Sequence, residues 1–211
     1  MDFTFNEDQM AFRDSLAAML ASEVSSDSIR ARWQSDSGFN RELWNKLVEM
    51  GITAMLVPEA AGGMQIDEVD FVMLAEECGR AALPEPLVDI ALVSSRMLAE
   101  LVQANSAFAE QGNALLNQLA EGSALVMAGH MINPYKNFAN EADWFLLPHG
   151  EEVHLLKREQ VLISAQKSLD PSRRLARIDW APGPETRIVD GERGALLWRT
   201  ALNRGALGSA A

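Results

Sequence analysis

Cysteine occurs once in the 211 residues, as Cys78. A lone thiol excludes an intrachain disulfide and suits a reducing, cytoplasmic setting. Cys78 sits in Leu74-Ala-Glu-Glu-Cys78-Gly-Arg80, a stretch of helical period with no histidine at catalytic spacing, so it reads as core rather than nucleophile. Basic residues are also scarce: 18 Lys and Arg face 30 Asp and Glu, for a net charge of −12. That deficit excludes a phosphate-binding face for nucleic acid and argues against adhesion to an anionic membrane. The three histidines, His130, His149 and His154, are scattered through a strand-rich stretch without metal-ligand spacing. They read as surface or loop residues, and no metal is expected. No apolar run is long enough to span a bilayer, and Met1-Asp2-Phe3-Thr4 lacks the basic and apolar regions of a signal peptide. Repeats, low-complexity tracts and coiled-coil heptads are missing too. So is a Gly-x-Gly-x-x-Gly pattern, and a Rossmann site is not indicated.

What is there suffices for a packed fold. Apolar residues make up 48% and charged residues 23%, ordinary proportions in a chain long enough to bury a core. Helical period runs almost unbroken through the first 120 residues. Asn6 caps a first helix, with Gln9 completing a capping box, and Phe12, Leu16, Met19 and Leu20 share one face. A short helix is expected around Ser28 to Gln34. A third runs from about Asn40 to Met50, with Leu43, Trp44, Leu47 and Val48 inward and Gly51 as its stop. The apolar run from Ile52 closes in a turn at Gly62-Gly63, where glycine permits angles a side chain forbids. Asp67 or Asp70 opens a long helix that ends at Gly79-Arg80. Pro84 and Pro86 separate it from another, Leu87 to about Val102, and Ser106 to Leu119 forms the next.

After Gly122 the period shortens. Ala124–Met127, Trp144–Leu147, Val153–Leu156, Gln160–Ile163 and Leu175–Trp180 are β-type runs broken by Pro, Gly, Asn and charge. From about Gly191 the helical period returns in Ala195, Leu196, Trp198 and Leu202. This order predicts an α+β fold: an all-α helical domain over residues 1–121, a small antiparallel β domain over 122–190, and the start of a C-terminal helix over 191–211. The run from Thr200 to Ala211 reads as a helix cut short, leaving an exposed apolar patch around Leu196, Leu197, Trp198 and Leu202.

At Val57-Pro-Glu59-Ala-Ala-Gly62-Gly63 the chain resembles the acyl-CoA dehydrogenase family, whose members carry a Pro-Glu-x-x-Gly-Gly turn between their third and fourth helices. Further pieces agree in the same order. Asp2-Phe-Thr-Phe-Asn-Glu-Asp-Gln9 resembles the family's opening, and Glu76-Glu77-Cys-Gly79-Arg80 the end of its fourth helix. Ala142-Asp143-Trp144 and Leu169-Asp170-Pro171-Ser172-Arg173-Arg174 resemble two strand starts of its middle domain. The likeness covers essentially all of this chain but only part of a complete member.

The resemblance implies an oxidoreductase of lipid or steroid catabolism that oxidises the Cα–Cβ bond of an acyl-CoA thioester with FAD. In the family a carboxylate takes the α-proton, hydride passes to the flavin, and hydrogen bonds to the thioester oxygen stabilise the enolate. The base lies on a C-terminal helical bundle that this chain does not contain, so no catalytic residue is assigned. Glu76 and Glu77 are the tempting substitutes, with a solvated helix end as the alternative. The family's Thr-Glu-Pro-x-x-Gly-Ser-Asp stretch is replaced here by Ala124-Leu-Val-Met127-Ala128-Gly129-His130. Pro134-Tyr135-Lys136-Asn137-Phe138 keeps the Lys and an aromatic of the next flavin strand, over a shortened path to Trp144. By this resemblance Met127, Ala128, Phe138 and Asn140 line the flavin surface, or are plain sheet and loop residues. Leu83, Leu87, Ile90 and Ala91, with the loop Pro84-Glu85-Pro86, line the acyl pocket, or are plain core. Arg173, Arg174 and Arg177 meet a pyrophosphate of FAD or CoA, or pair with the surplus carboxylates.

Two functions follow. One is an acyl-CoA dehydrogenase chain active with a homologous partner subunit, by self-association, or with a C-terminal domain. The shortened middle domain resembles degenerate subunits of heteromeric members, some of which act on bulky steroid-derived acyl-CoAs. The other is a flavin-deficient subunit that serves assembly. A free-standing helical adaptor would leave the strand-rich half without a purpose.

Overall fold

The computed structural model describes residues 4–211. Local capping sets the first helices. Asn6 Oδ1 accepts from the Gln9 amide at 2.8 Å and Gln9 Oε1 from the Asn6 amide at 2.7 Å, which starts α1 (Glu7–Glu23) as a capping box. Ser25 and Ser28 form a second reciprocal box, so α2 (Ser26–Trp33) begins two residues before the expected Ser28. Asn40 caps α3 (Arg41–Glu49), which buries Leu43, Trp44 and Leu47 and stops at Gly51, φ 77°. In the Val57–Gly63 turn, Gly62 has φ 83°, and a Cβ on Gly63 would stand 2.1 Å from the Val57 carbonyl oxygen. Both glycines are therefore demanded by the backbone. Asp67 then caps α4 (Glu68–Arg80).

The next helix departs from regular winding. Its stretch Asp89–Ser94 is a π turn that runs directly into α5 (Ser95–Ala104), and α6 (Ala109–Ala120) folds back on it. The strands follow in two sheets. One has the order β1 (Val126–Ala128), β3 (Trp144–His149), β4 (Glu152–Lys157), β7 (Arg187–Val189). The other has the order β2 (Tyr135–Asn137), β6 (Leu175–Asp179), β5 (Leu162–Ala165). Pairing is antiparallel except between β1 and β3, which run parallel with Val126 opposite Trp144. Strands β2 and β7 escape the sequence pattern because each has only three residues and no alternation to read. One contiguous core joins the helices to β1, β3 and β4. Val153 to Leu156 are all buried, so β4 is covered on both faces. His154, expected on the surface, lies there at 1% exposure. Among the described residues no helix is long and apolar enough to cross a membrane.

The last helix, α7 (Gly191–Ala210), corrects the expectation of an uncovered apolar patch. Trp198 is fully buried and its indole donates to the Glu152 carbonyl at 2.9 Å, Leu197 is buried, and Leu202 is half-buried. Only Leu196 of the four is exposed. Gly194 permits this docking, since a Cβ there would lie 1.9 Å from the Glu151 carbonyl oxygen. At its far end Arg204 donates to Glu68 and Glu100, at 2.8 and 2.7 Å, and Arg96 also reaches Glu68.

Replacing Trp198 with Ala should lower unfolding free energy by about 3–5 kcal/mol, read from denaturant titrations. Burial raises the Glu68 carboxyl, but the bonds and charge of Arg204, then Arg96, outweigh it and hold the pKa below the usual carboxylate value. A depressed folded-state pKa stabilises above the unfolded value and loses that contribution as pH falls toward the folded one. Thermal midpoints should therefore drop on acidification below about pH 4.3, and Glu68→Gln should flatten that part of the profile.

Candidate functional site

The π turn, the end of β1, β2 and one face of α7 enclose a cleft of about 360 Å³. A π turn widens the helix and commonly marks a functional position. Here it presents Asp89 and Val93 to the cleft. Lys136 on β2 donates to Asp89 Oδ2 at 3.0 Å. Helical spacing on α7 supplies Trp198, Ala201, Leu202, Gly205, Ala206 and Ser209, mostly small side chains that leave room for a ligand. His130, at the rim, accepts the Ile132 and Asn133 amides on Nδ1, which holds its ring proton on Nε2. Asp89 is the only carboxylate among the described residues that line the cleft, and its charge is matched by Lys136.

The residues expected to meet a flavin are separated. Met127 is fully buried in β1 opposite Phe145, and Ala128 lines the cleft. Phe138 and Asn140 face a different groove, of about 620 Å³, formed with residues 165–168, 170–171 and 173–175. Of the residues expected to meet an acyl chain, Leu87, Ile90 and Ala91 are in the core, and Leu83 packs against it. Their helical neighbours Asp89 and Val93, four residues apart, take the cleft-facing positions. The small residues of α7 carry no sequence signal beyond their spacing.

The remaining candidates resolve into structural pairings. Glu85, between Pro84 and Pro86, is buried. Both its carboxylate oxygens accept from Arg32 Nη1, at 2.7 and 2.8 Å, and one accepts the Asn40 amide at 3.1 Å. Arg174 Nη2 donates to the carbonyls of Arg32 and Ser35 at 2.8 and 2.7 Å, while Arg177 pairs with Asp179. Arg173 alone of the three lines the cleft. Glu76 and Glu77 both pair with Arg80. Cys78 is buried, and burial pushes its thiol up to about 12, far from a thiolate at neutral pH.

A flavin ring needs hydrogen-bond donors along its polar edge and cations for its pyrophosphate. The donors at the end of β1 are engaged: the Ala128 amide donates to Ser94 Oγ at 3.1 Å and the Gly129 amide to the Leu146 carbonyl at 2.7 Å. Lys136 is held by Asp89. One acceptor, Asn137 Oδ1, is buried without a partner. These residues do not by themselves fit FAD.

Comparison with known proteins accords with this architecture. The sequence model of the family "Acyl-CoA dehydrogenase, N-terminal domain" matches residues 6–123. The chain is similar to the acyl-CoA dehydrogenase IpdE2 of Mycobacterium tuberculosis, 30% identical over 176 residues, which cover 82% of this chain and 51% of that protein. It thus spans about half the length of the curated relatives it matches. Among solved structures, one match is the ChsE4–ChsE5 complex from Mycobacterium tuberculosis, with a TM-score of 0.77 at 19% identity, covering 100% of this chain and 67% of that one. Another is the Tcur3481–Tcur3483 steroid ACAD G363A variant, with a TM-score of 0.74 at 16% identity, covering 96% and 62%. At such identities these two establish the fold.

Glu85→Ala should leave the Arg32 guanidinium buried and uncompensated, at a cost of about 3–5 kcal/mol. Chemical denaturation checks this, and the double replacement Arg32→Met with Glu85→Leu should recover most of the loss.

Proposed function

The chain belongs to the acyl-CoA dehydrogenase family, and on that premise we propose that it acts as one subunit of a heteromeric, flavin-linked acyl-CoA dehydrogenase. In this reading it provides one wall of the acyl-thioester site, and a homologous subunit supplies the catalytic carboxylate and the FAD contacts. The observation that carries the reading is the composition of the cleft. Trp198, Ala201, Leu202, Gly205 and Ala206 give it an apolar wall on the α7 side, while its single carboxylate is spent on Lys136. Trp198, Val93 and Leu202 exclude water from an acyl chain there, and the Asp89–Lys136 pair fixes the π turn against β2. The helices of 1–121 and the sheets of 122–190 are the two walls, with 191–211 closing the cleft between them.

The substrate class we propose is a bulky, ring-bearing acyl-CoA of the steroid type. Ala201, Gly205 and Ala206 make the space for it, and the likeness to a steroid ACAD chain supports it. Likeness to a two-component complex supports the partner. A second reading, a flavin-deficient subunit that serves assembly alone, draws on the engaged Ala128 and Gly129 amides.

The test is co-expression with a homologous acyl-CoA dehydrogenase subunit. Flavin absorbance and oxidation of a steroid-type acyl-CoA by an artificial electron acceptor are then measured. The pair should hold flavin and turn over, and the chain alone should do neither. Gly205, whose added Cβ would meet only Val93 at 3.8 Å, offers a variant that fills the cleft. Gly205→Leu should cut kcat/KM by about tenfold or more, equivalent to about 1.4 kcal/mol, without loss of assembly. Unchanged turnover would remove the cleft from the mechanism. An assembled pair in which only the partner's activity persists would favour the assembly reading.

A further inference from the structure

The turn between β3 and β4 gathers three metal-binding side chains, none of which lines the cleft. His149 ends β3 directly opposite Glu152 in the ladder, and His154, two residues on, shares the face of Glu152. One ligand atom from each lies within 4.8 Å of the other two. Glu152 Oε2 stands 2.9 Å from His149 Nδ1 and 3.1 Å from His154 Nε2.

The hydrogens around His154 make this more than a cluster. Thr186 has one hydroxyl proton, and it donates to the Gly183 carbonyl at 3.0 Å. Its oxygen, 2.9 Å from His154 Nδ1, must therefore accept, which puts the ring proton on Nδ1. Nε2 of the neutral ring is then a bare lone pair, buried and aimed at a carboxylate oxygen. Glu152, held through its other oxygen by Arg187 at 2.8 Å, faces Nε2 as a carboxylate and brings no proton of its own. Two facing lone pairs at this distance require a cation between them, either a proton or a metal ion.

Three features favour the metal. His149 Nδ1 converges on the same oxygen, a third donor that a shared proton does not need. The two short edges of the triangle approach the roughly 3.3 Å that tetrahedral bonds of about 2.0–2.1 Å produce. The outer partners are of the kind that orient ligands: Thr186 fixes the His154 tautomer, and Arg187 holds the other Glu152 oxygen at 2.8 Å. We propose that His149, Glu152 and His154 form a site for a borderline divalent cation of the zinc class, with the fourth position open beside exposed His149. Two imidazoles and one carboxylate select such ions over calcium or magnesium. The bound ion pins the turn on which α7 docks, since the Glu152 carbonyl is the acceptor for Trp198.

The test uses the untagged, metal-stripped chain with Zn²⁺ alone, titrated against a chromophoric chelator. One equivalent should bind. His149→Ala, at an exposed position that folding does not need, should weaken binding by at least about tenfold, and His130→Ala should leave it unchanged. Co²⁺ in place of Zn²⁺ should give a visible band in the parent and not in His149→Ala. Absence of stoichiometric binding, or equal binding by His149→Ala, overturns the proposal. So does a proton detected on His154 Nε2 by NMR with Zn²⁺ present, since the proton alone would then bridge the pair.

Discussion

The carboxylate of Glu85, withdrawn from water between two prolines, joins three separate stretches of the helical half. Burying one ion costs several kcal/mol unless its partners are in place. Here Arg32 of α2 and the Asn40 amide at the head of α3 meet on it together. That pairing anchors the loop between α4 and the π turn against α2 and the head of α3. Arg174 carries the constraint across to the sheets, because its guanidinium ties the exposed carbonyls at the end of α2 to the approach of β6.

The opposite wall depends on close packing rather than charge. Gly194 lets α7 lie against the Glu151 carbonyl, and Trp198 then fills the space over β4. A bond from the indole to the Glu152 carbonyl connects that wall to the His149–Glu152–His154 turn. The two ends of α7 therefore answer to different chemistry: an apolar anchor near its start, and the Arg204–Glu68–Glu100 ion cluster near its finish.

Short-range chemistry in the chain was legible without coordinates. The Asn6–Gln9 box, the Gly51 stop, the Gly62-Gly63 turn and the α+β order all rest on contacts within a few residues, where residue type determines geometry. The site was not legible to the same degree. The resemblance named Leu83, Leu87, Ile90 and Ala91 for an acyl pocket, with plain core as the alternative; they lie in or against the core, and Asp89 and Val93 face the cleft. Short strands such as β2 and β7 have no period to detect. His154 looked exposed because its covering groups, Trp180 and Thr186, come from far along the chain. Glu85 is in the loop expected of it, but its burial against Arg32 could not be read because that partner lies 53 positions away.

The π turn also has a genealogical side. Such a turn is a helix carrying one residue more than regular winding accommodates, and each residue of a regular helix advances by roughly 100°. Deleting any one position between Asp89 and Ser94 would restore α winding and swing Asp89 about a quarter turn off Lys136. Relatives that lack that residue would share the framework of this chain yet present a different side chain to the same space. A one-residue gap at this point in an alignment would thus separate chains with different pockets, even where every flanking helix aligned without a break.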